Sequence, residues 1–196
     1  VTAWQSWIHL ENFSAYHNVP FASKDNGFAG LDTELMLNGE AQVAHLSKMA
    51  EWAKDGKFIY TGRRNEGGAN FRSGECALFT ESSAGYAGIS SEAKFDFEVR
   101  PLPYWKAIAS SPQNTIIGGA SLWVMSGHSD AEYKGAGEFL SFLSTSDVQA
   151  AWHQNTGYLP ITAEAGEATR ASGFYDKNPG TDIAVIQMTA NQPTAN

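Results

Sequence analysis

Along this chain apolar residues recur at helical steps in some stretches, alternate with polar ones in another, and cluster into short unbroken runs elsewhere. Val43, Leu46, Met49, Ala50 and Ala53 share one helix face, which predicts a helix over Asn38–Lys57 with a stop at Gly56. Tyr133, Ala136, Phe139, Leu140 and Leu143 form a second such stripe and predict a helix over Ser129–Ser144. A further helix starts at Ser146, runs through Trp152 and stops at Gly157. Trp7, Ile8, Leu10, Glu11 and Ser14 predict a short helix within Trp4–Tyr16, and Thr162 and Thr181 read as caps of two short helices separated by Gly173.

Strand signals are fewer. Cys76–Thr80 is a short apolar run bounded by polar residues, and Phe95, Phe97 and Val99 alternate with Asp96, Glu98 and Arg100. Both predict strands, the second half-buried over Phe95–Leu102. Thr115–Ser126 reads as a third strand region, broken by Gly118-Gly119. Ser82-Ser83 opens a helix reaching about Lys94, and either serine could cap it. Asn18–Gly39, with Pro20 and Asp25-Asn26-Gly27, reads as a long surface loop, Gly62–Gly74 as a polar connection, and Ala190–Asn196 as a frayed polar tail. Strands alternating with helices imply an α/β architecture, and with no repeat or Pro/Gly-rich linker composition suggests one domain.

Composition narrows the function classes. The net charge of −8 argues against nucleic acid or an acidic membrane surface, which call for clustered Lys and Arg. It leaves room for a small anion, which a few backbone N–H groups can bind locally. The single cysteine, Cys76, cannot form an internal disulfide and is expected as a buried structural thiol. No apolar run is long enough to span a membrane, and no charged and apolar leader opens the chain. The histidines His9, His17, His45, His128 and His153 show no metal-binding spacing, and no nucleophile elbow, Walker or dinucleotide-binding motif occurs. No metal, cofactor or catalytic residue is therefore expected.

Candidate ligand chemistry gathers elsewhere. Ser82 and Ser83 follow an apolar strand and open a helix, where an α/β sheet presents hydroxyls and N–H groups to ligands; a plain helix cap is the other reading. Gly118-Gly119 allows a close approach to the main chain, by a ligand or simply by a β-bulge. Tyr158 lies between the Gly157 stop and Leu159-Pro160, as a core residue or a ligand donor. Trp4 and Trp7, three apart, share a helix face that could be core or the wall of a polyol site.

These segments carry a resemblance. Trp4-x-x-Trp7-Ile8-x-Leu10-Glu11-Asn12-Phe13-Ser14, then Ile116-Ile117-Gly118-Gly119-Ala120-Ser121-Leu122-Trp123-Val124-Met125, then Trp152-His153-Gln154-x-Thr156-Gly157-Tyr158-Leu159-Pro160-Ile161-Thr162, closely resemble the periplasmic sn-glycerol-3-phosphate-binding proteins of ABC importers. The resemblance covers nearly the whole chain and implies a type II periplasmic binding protein fold, α/β, with two lobes flanking a cleft. It matches the chain to a C-terminal fragment, mostly the second lobe plus an orphaned piece of the first. Residues 1–116 would build the second lobe, 119–155 belong to the first, and 159–196 return to the second. It further implies a periplasmic location, capture of sn-glycerol 3-phosphate or a glycerophosphodiester, delivery to ABC permease subunits, and no enzymatic activity. Ser82, with Ser83 in reserve, Gly119 and Tyr158 take the positions of ligand contacts; Trp4 and Trp7 are expected as wall residues, since solute-binding clefts set such rings against the CH faces of polyols. The chain departs from the family at Ala84, where a glycine is usual. Two other classes stay in view: a sugar- or oligosaccharide-binding protein of the same fold, and a glycerophosphodiester-processing enzyme.

Overall fold

In the computed structural model, which describes residues 2, 3 and 6–194, the chain is built mainly of helices around one short parallel strand pair. Strand β1 (Thr2–Ala3) lies beside β2 (Phe79–Thr80), with Thr2 opposite Phe79 and Ala3 opposite Thr80. A 3-10 turn, Ser6–His9, leads from β1 into α1 (Glu11–Tyr16). The expected surface loop follows, and holds a tight turn, α2 (Ser23–Asn26), in which Lys24, Asp25 and Asn26 all take left-handed backbone angles. The Asn26 side chain steadies it by accepting from the N–H groups of Phe21 and Ala22.

The long helix α3 (Glu40–Lys54) is followed by α4 (Gly67–Arg72), then by β2 and α5 (Tyr86–Glu92). Helix α6 (Asp130–Leu143) begins with a reciprocal cap, Ser129 accepting from the Glu132 N–H while the Glu132 carboxylate accepts from the Ser129 N–H. Helix α7 (Ser146–Thr156) ends at Gly157, whose φ of 77° permits the left-handed stop. Helices α8 (Ala163–Ala171), α9 (Phe174–Lys177) and α10 (Ile183–Thr189) complete the chain. Thr162 caps α8 as expected, accepting from Ala165 N–H. Thr181 does not cap α10; Asp182 stands at that position, and the Thr181 hydroxyl donates to the Asn178 carbonyl.

Helix α1 is the centre of packing. Asn12, Phe13, Ser14, Ala15 and Tyr16 are all buried, as is His17 just beyond. Its polar groups bind irregular backbone that no strand serves. Asn12 Oδ1 accepts from Ile116 N–H, the Tyr16 hydroxyl donates to the Leu102 carbonyl, and the Tyr16 carbonyl accepts from Gln113 N–H. His17 donates from Nδ1 to the Phe13 carbonyl and accepts at Nε2 from Trp105 N–H. Gln42, only 2% exposed, donates to both Ser14 Oγ and the Pro20 carbonyl.

Several expectations change at this level. Helix α3 forms, but of its predicted stripe only Met49 turns inward, beside Gln42, His45 and Trp52. Val43 is 44% and Leu46 40% exposed. The inward residues also keep helical spacing, and they win because His45 stacks on Phe13 at 4.2 Å and Trp52 on Trp105 at 6.0 Å. Phe95–Leu102 is no strand: burial still alternates, with Phe97, Val99 and Leu102 half-covered, but no ladder forms. Thr115–Ser126 likewise gains no strand partner, and Ile117, Leu122, Trp123, Val124 and Met125 lie exposed. Of Cys76–Thr80 only the last two residues are strand, although Cys76 is buried as expected. The polar connection over Gly62–Gly74 contains α4, whose Gly67-Gly68 start carries no helix signal.

The histidines beside α1 form a second group, with His17 buried and His9 and His45 half-buried. His45 accepts at Nδ1 from the Trp105 indole N–H (3.0 Å) and lies 3.3 Å from His9 Nδ1 through Nε2. Burial, and then the neighbouring His9 and His17, push the His45 pKa down from 6.5 to about 4. The unfolded chain therefore takes up this proton first, and stability should fall as pH drops from about 6.5 towards 4. Urea unfolding across that window should show the loss, and His45→Gln should reduce it, leaving the part due to His9 and His17, whose pKa values burial also lowers. Gln42→Ala, which strands the Ser14 and Pro20 partners, should cost roughly 2 kcal/mol or more in the same measurement at pH 7.5.

Candidate functional site

Parallel pairing makes β1 and β2 end on the same side, and the segments leaving those two ends are the ones with candidate chemistry. After β1 comes the 3-10 turn that carries Trp7; after β2 come Glu81, Ser82 and a 3-10 turn over Ser83–Gly85. The two serines have separate tasks. Ser82 accepts at Oγ from Ala84 N–H (3.3 Å), capping the turn. Ser83 donates from Oγ to the Gly157 carbonyl at 2.8 Å, which ties the β2 exit to the end of α7.

That tie is close. Gly157 sits with φ 77°, and a Cβ there would lie 2.7 Å from the Ser83 carbonyl oxygen and 3.0 Å from Ala84 Cα. The next residue, Tyr158, places its ring against Gly119, where a Cβ would fall 3.6 Å from Cε1. Gly119 has φ 128°, and the adjoining Gly118 packs on Trp7, a Cβ there falling 3.3 Å from indole Cη2 and Cζ2. The path Ser82–Ser83–Gly157–Tyr158–Gly119–Gly118–Trp7 is thus one contiguous surface assembled from four separate stretches of chain. Trp4 lies outside the described residues.

Two residues beneath this surface escaped the sequence reading. His153, 2% exposed, donates from Nδ1 to the Tyr158 carbonyl at 2.8 Å and accepts at Nε2 from the Tyr175 hydroxyl at 3.0 Å. It anchors Tyr158 to α9. Its signal was only its place on the inner side of α7, beside the buried Ala150. Glu81 is half-buried and accepts at Oε1 from Ser82 N–H at 2.7 Å. Burial raises its pKa, opposed by the Ser82 hydrogen bond and the Arg72 charge. A carboxylate directly before a capping serine was the available clue.

The surface is open. Two concavities, of about 410 and 320 Å³, are lined by residues such as Tyr86, Lys94 and Phe97, and Pro20, Lys24 and Met36; none of Trp7, Ser82, Gly119 and Tyr158 lines either. Among the described residues no group of three His, Cys, Asp or Glu side chains is placed to hold a metal ion. Nor is any described helix long and apolar enough to cross a membrane. What the surface offers is hydroxyls, exposed glycine backbone and aromatic faces, which suit binding of a small polar molecule.

Residues 2–181 match the profile of the bacterial extracellular solute-binding proteins. The sn-glycerol-3-phosphate-binding periplasmic proteins UgpB of Yersinia enterocolitica and Salmonella typhimurium are each 50% identical to this chain over 192 residues. Each alignment takes in 98% of the chain and 44% of the relative, so the chain spans less than half the length of the curated relatives it matches. Among solved structures, UgpB from Mycobacterium tuberculosis in complex with glycerophosphocholine superimposes with a TM-score of 0.75 at 23% identity, over 97% of this chain and 46% of that one. That likeness gives the fold: the short strand pair and its helices form part of a solute-binding protein architecture.

The close approach of the Ser83 and Ala84 backbone leaves no space for a side chain at Gly157. Gly157→Ala should lower stability by about 2 kcal/mol or more, through both the left-handed angle and the clash with Ser83. Ser83→Ala should cost about 1 kcal/mol. Thermal unfolding of both single variants and the double variant checks this; coupling between the two is the expected result.

Proposed function

This chain belongs to the bacterial extracellular solute-binding protein family, and from that premise we propose that it forms part of a periplasmic receptor for sn-glycerol 3-phosphate. The receptor captures its ligand in a cleft and presents it to the permease subunits of an ABC importer, without catalysis and without a cofactor. The observation that carries the reading is the joining of Trp7, Gly118-Gly119, Tyr158 and Ser82 on one surface at the strand ends. Tyr158 and Ser82 are hydroxyl partners for phosphate or glycerol oxygens, Gly119 supplies main-chain N–H, and Trp7 forms a wall against the carbon face. The names of the 50% identical relatives support the same ligand. Glycerophosphodiesters are the second ligand class, favoured by glycerophosphocholine in the matching solved structure.

The proposed receptor has two lobes, with residues 1–116 and 159–196 in one and 119–155 in the other. Exposure supports this division: Trp123 is 84%, Phe139 55% and Phe142 58% exposed, whereas Leu140 and Leu143 are half-covered. An apolar helix face so lightly covered suits packing against further chain of the same lobe. Closure of two lobes over the ligand then supplies the contacts that the open surface lacks.

Calorimetry tests this with two proteins: the 196-residue chain, and a chimera in which the unmatched N-terminal part of the Salmonella relative precedes it. The chimera should bind sn-glycerol 3-phosphate saturably and the 196-residue chain far more weakly, with free glycerol failing to compete. Heat from a maltooligosaccharide alone would replace the ligand, and metal-dependent hydrolysis of a glycerophosphodiester would replace the function class.

A further inference from the structure

Glu81 occupies a position that a ligand's anionic group would otherwise contest. Its Oε1 holds the Ser82 N–H at 2.7 Å. Its side chain folds back over the turn: a Cβ at Gly85 would lie 2.5 Å from Glu81 Cγ and 3.1 Å from Cδ. The turn thus owes its shape to a glycine that leaves room for this side chain. Arg72, whose charge draws the Glu81 pKa back down, bonds Glu92 at 2.7 Å and makes no ion pair with Glu81. A half-buried carboxylate with no ion pair among the described residues is therefore held beside Ser82, at the end of the surface that also carries the Trp7 and Tyr158 rings.

We propose that Glu81 is a specificity-determining residue, selecting against a doubly charged phosphate monoester and in favour of a phosphodiester that carries a cationic group. This rests on the reading above, that Ser82 faces a phosphorylated glycerol. A phosphate monoester carries close to two negative charges above its second pKa of about 6. A diester has lost that second ionisable oxygen and carries one. Beside a half-buried carboxylate the extra charge is repelled more strongly than it would be in water. A quaternary ammonium on the diester reverses the sign, attracted both by the carboxylate and by the aromatic faces.

Glu81→Gln keeps an oxygen for Ser82 N–H and removes the charge. Affinities of the chain and of the two-lobe chimera for sn-glycerol 3-phosphate and for glycerophosphocholine should be measured at pH 8, with and without this change. The ratio of the two dissociation constants should move towards the monoester by roughly tenfold. An unmoved ratio, or an equal change for both ligands, overturns the role of Glu81 while leaving the receptor reading intact. Failure of the unsubstituted chain and chimera to bind either ligand sinks that reading and the role of Glu81 with it. Should Glu81→Gln not fold, raising salt on the unsubstituted protein serves instead. Screening should favour the monoester over glycerophosphocholine, and the opposite trend overturns the proposal.

Discussion

The structure depends on how backbone polar groups are satisfied where no sheet is available. From Phe95 to Ile116 the chain is largely extended or irregular, and each buried N–H and carbonyl there needs a partner. Helix α1 supplies many of them from its side chains and its C-terminal end: Asn12 to Ile116, Tyr16 to Leu102 and Gln113, His17 to Trp105. A buried helix rich in Asn, Ser, Tyr and His would be costly alone. Here its polarity is what holds the surrounding segments in register, and through Ile116 it fixes where the Gly118-Gly119 segment begins.

That arrangement explains which parts of the fold were legible beforehand. Helices α6, α7 and α8 announce themselves by local means, an apolar stripe from Tyr133 to Leu143, a glycine stop at Gly157 and a threonine cap at Thr162. Strands are not local objects. The alternation of Phe97 and Val99 with Glu98 and Arg100 is real as a burial pattern, although Phe95 is exposed, yet a strand also requires a neighbour, and sequence alternation does not say whether one exists. Helix α3 shows the other limit. Both its aliphatic stripe and its Gln42–His45–Trp52 stripe have helical spacing, and only tertiary partners, Phe13 and Trp105, decide between them.

The candidate site was legible as residues and not as a shape. Ser82, Gly119, Tyr158 and Trp7 were each ambiguous singly, because a capping serine, a bulge glycine and a buried aromatic look alike in sequence. Their adjacency is a product of the β1–β2 pairing and of the Ser83–Gly157 bond, which joins residues 74 positions apart. Glu81 and His153 stayed hidden for a related reason. Each is defined by what it holds, an amide at Ser82 and a carbonyl at Tyr158, and neither relation has a sequence motif.

The contact between Gly119 and the Tyr158 ring joins two connections that lie far apart in the chain. The ring lies 3.6 Å from where a Cβ would stand, an ordinary van der Waals distance, and His153 holds the Tyr158 carbonyl from behind. A change of backbone angle at either connection would therefore be felt by the other through a glycine and a phenol ring in contact.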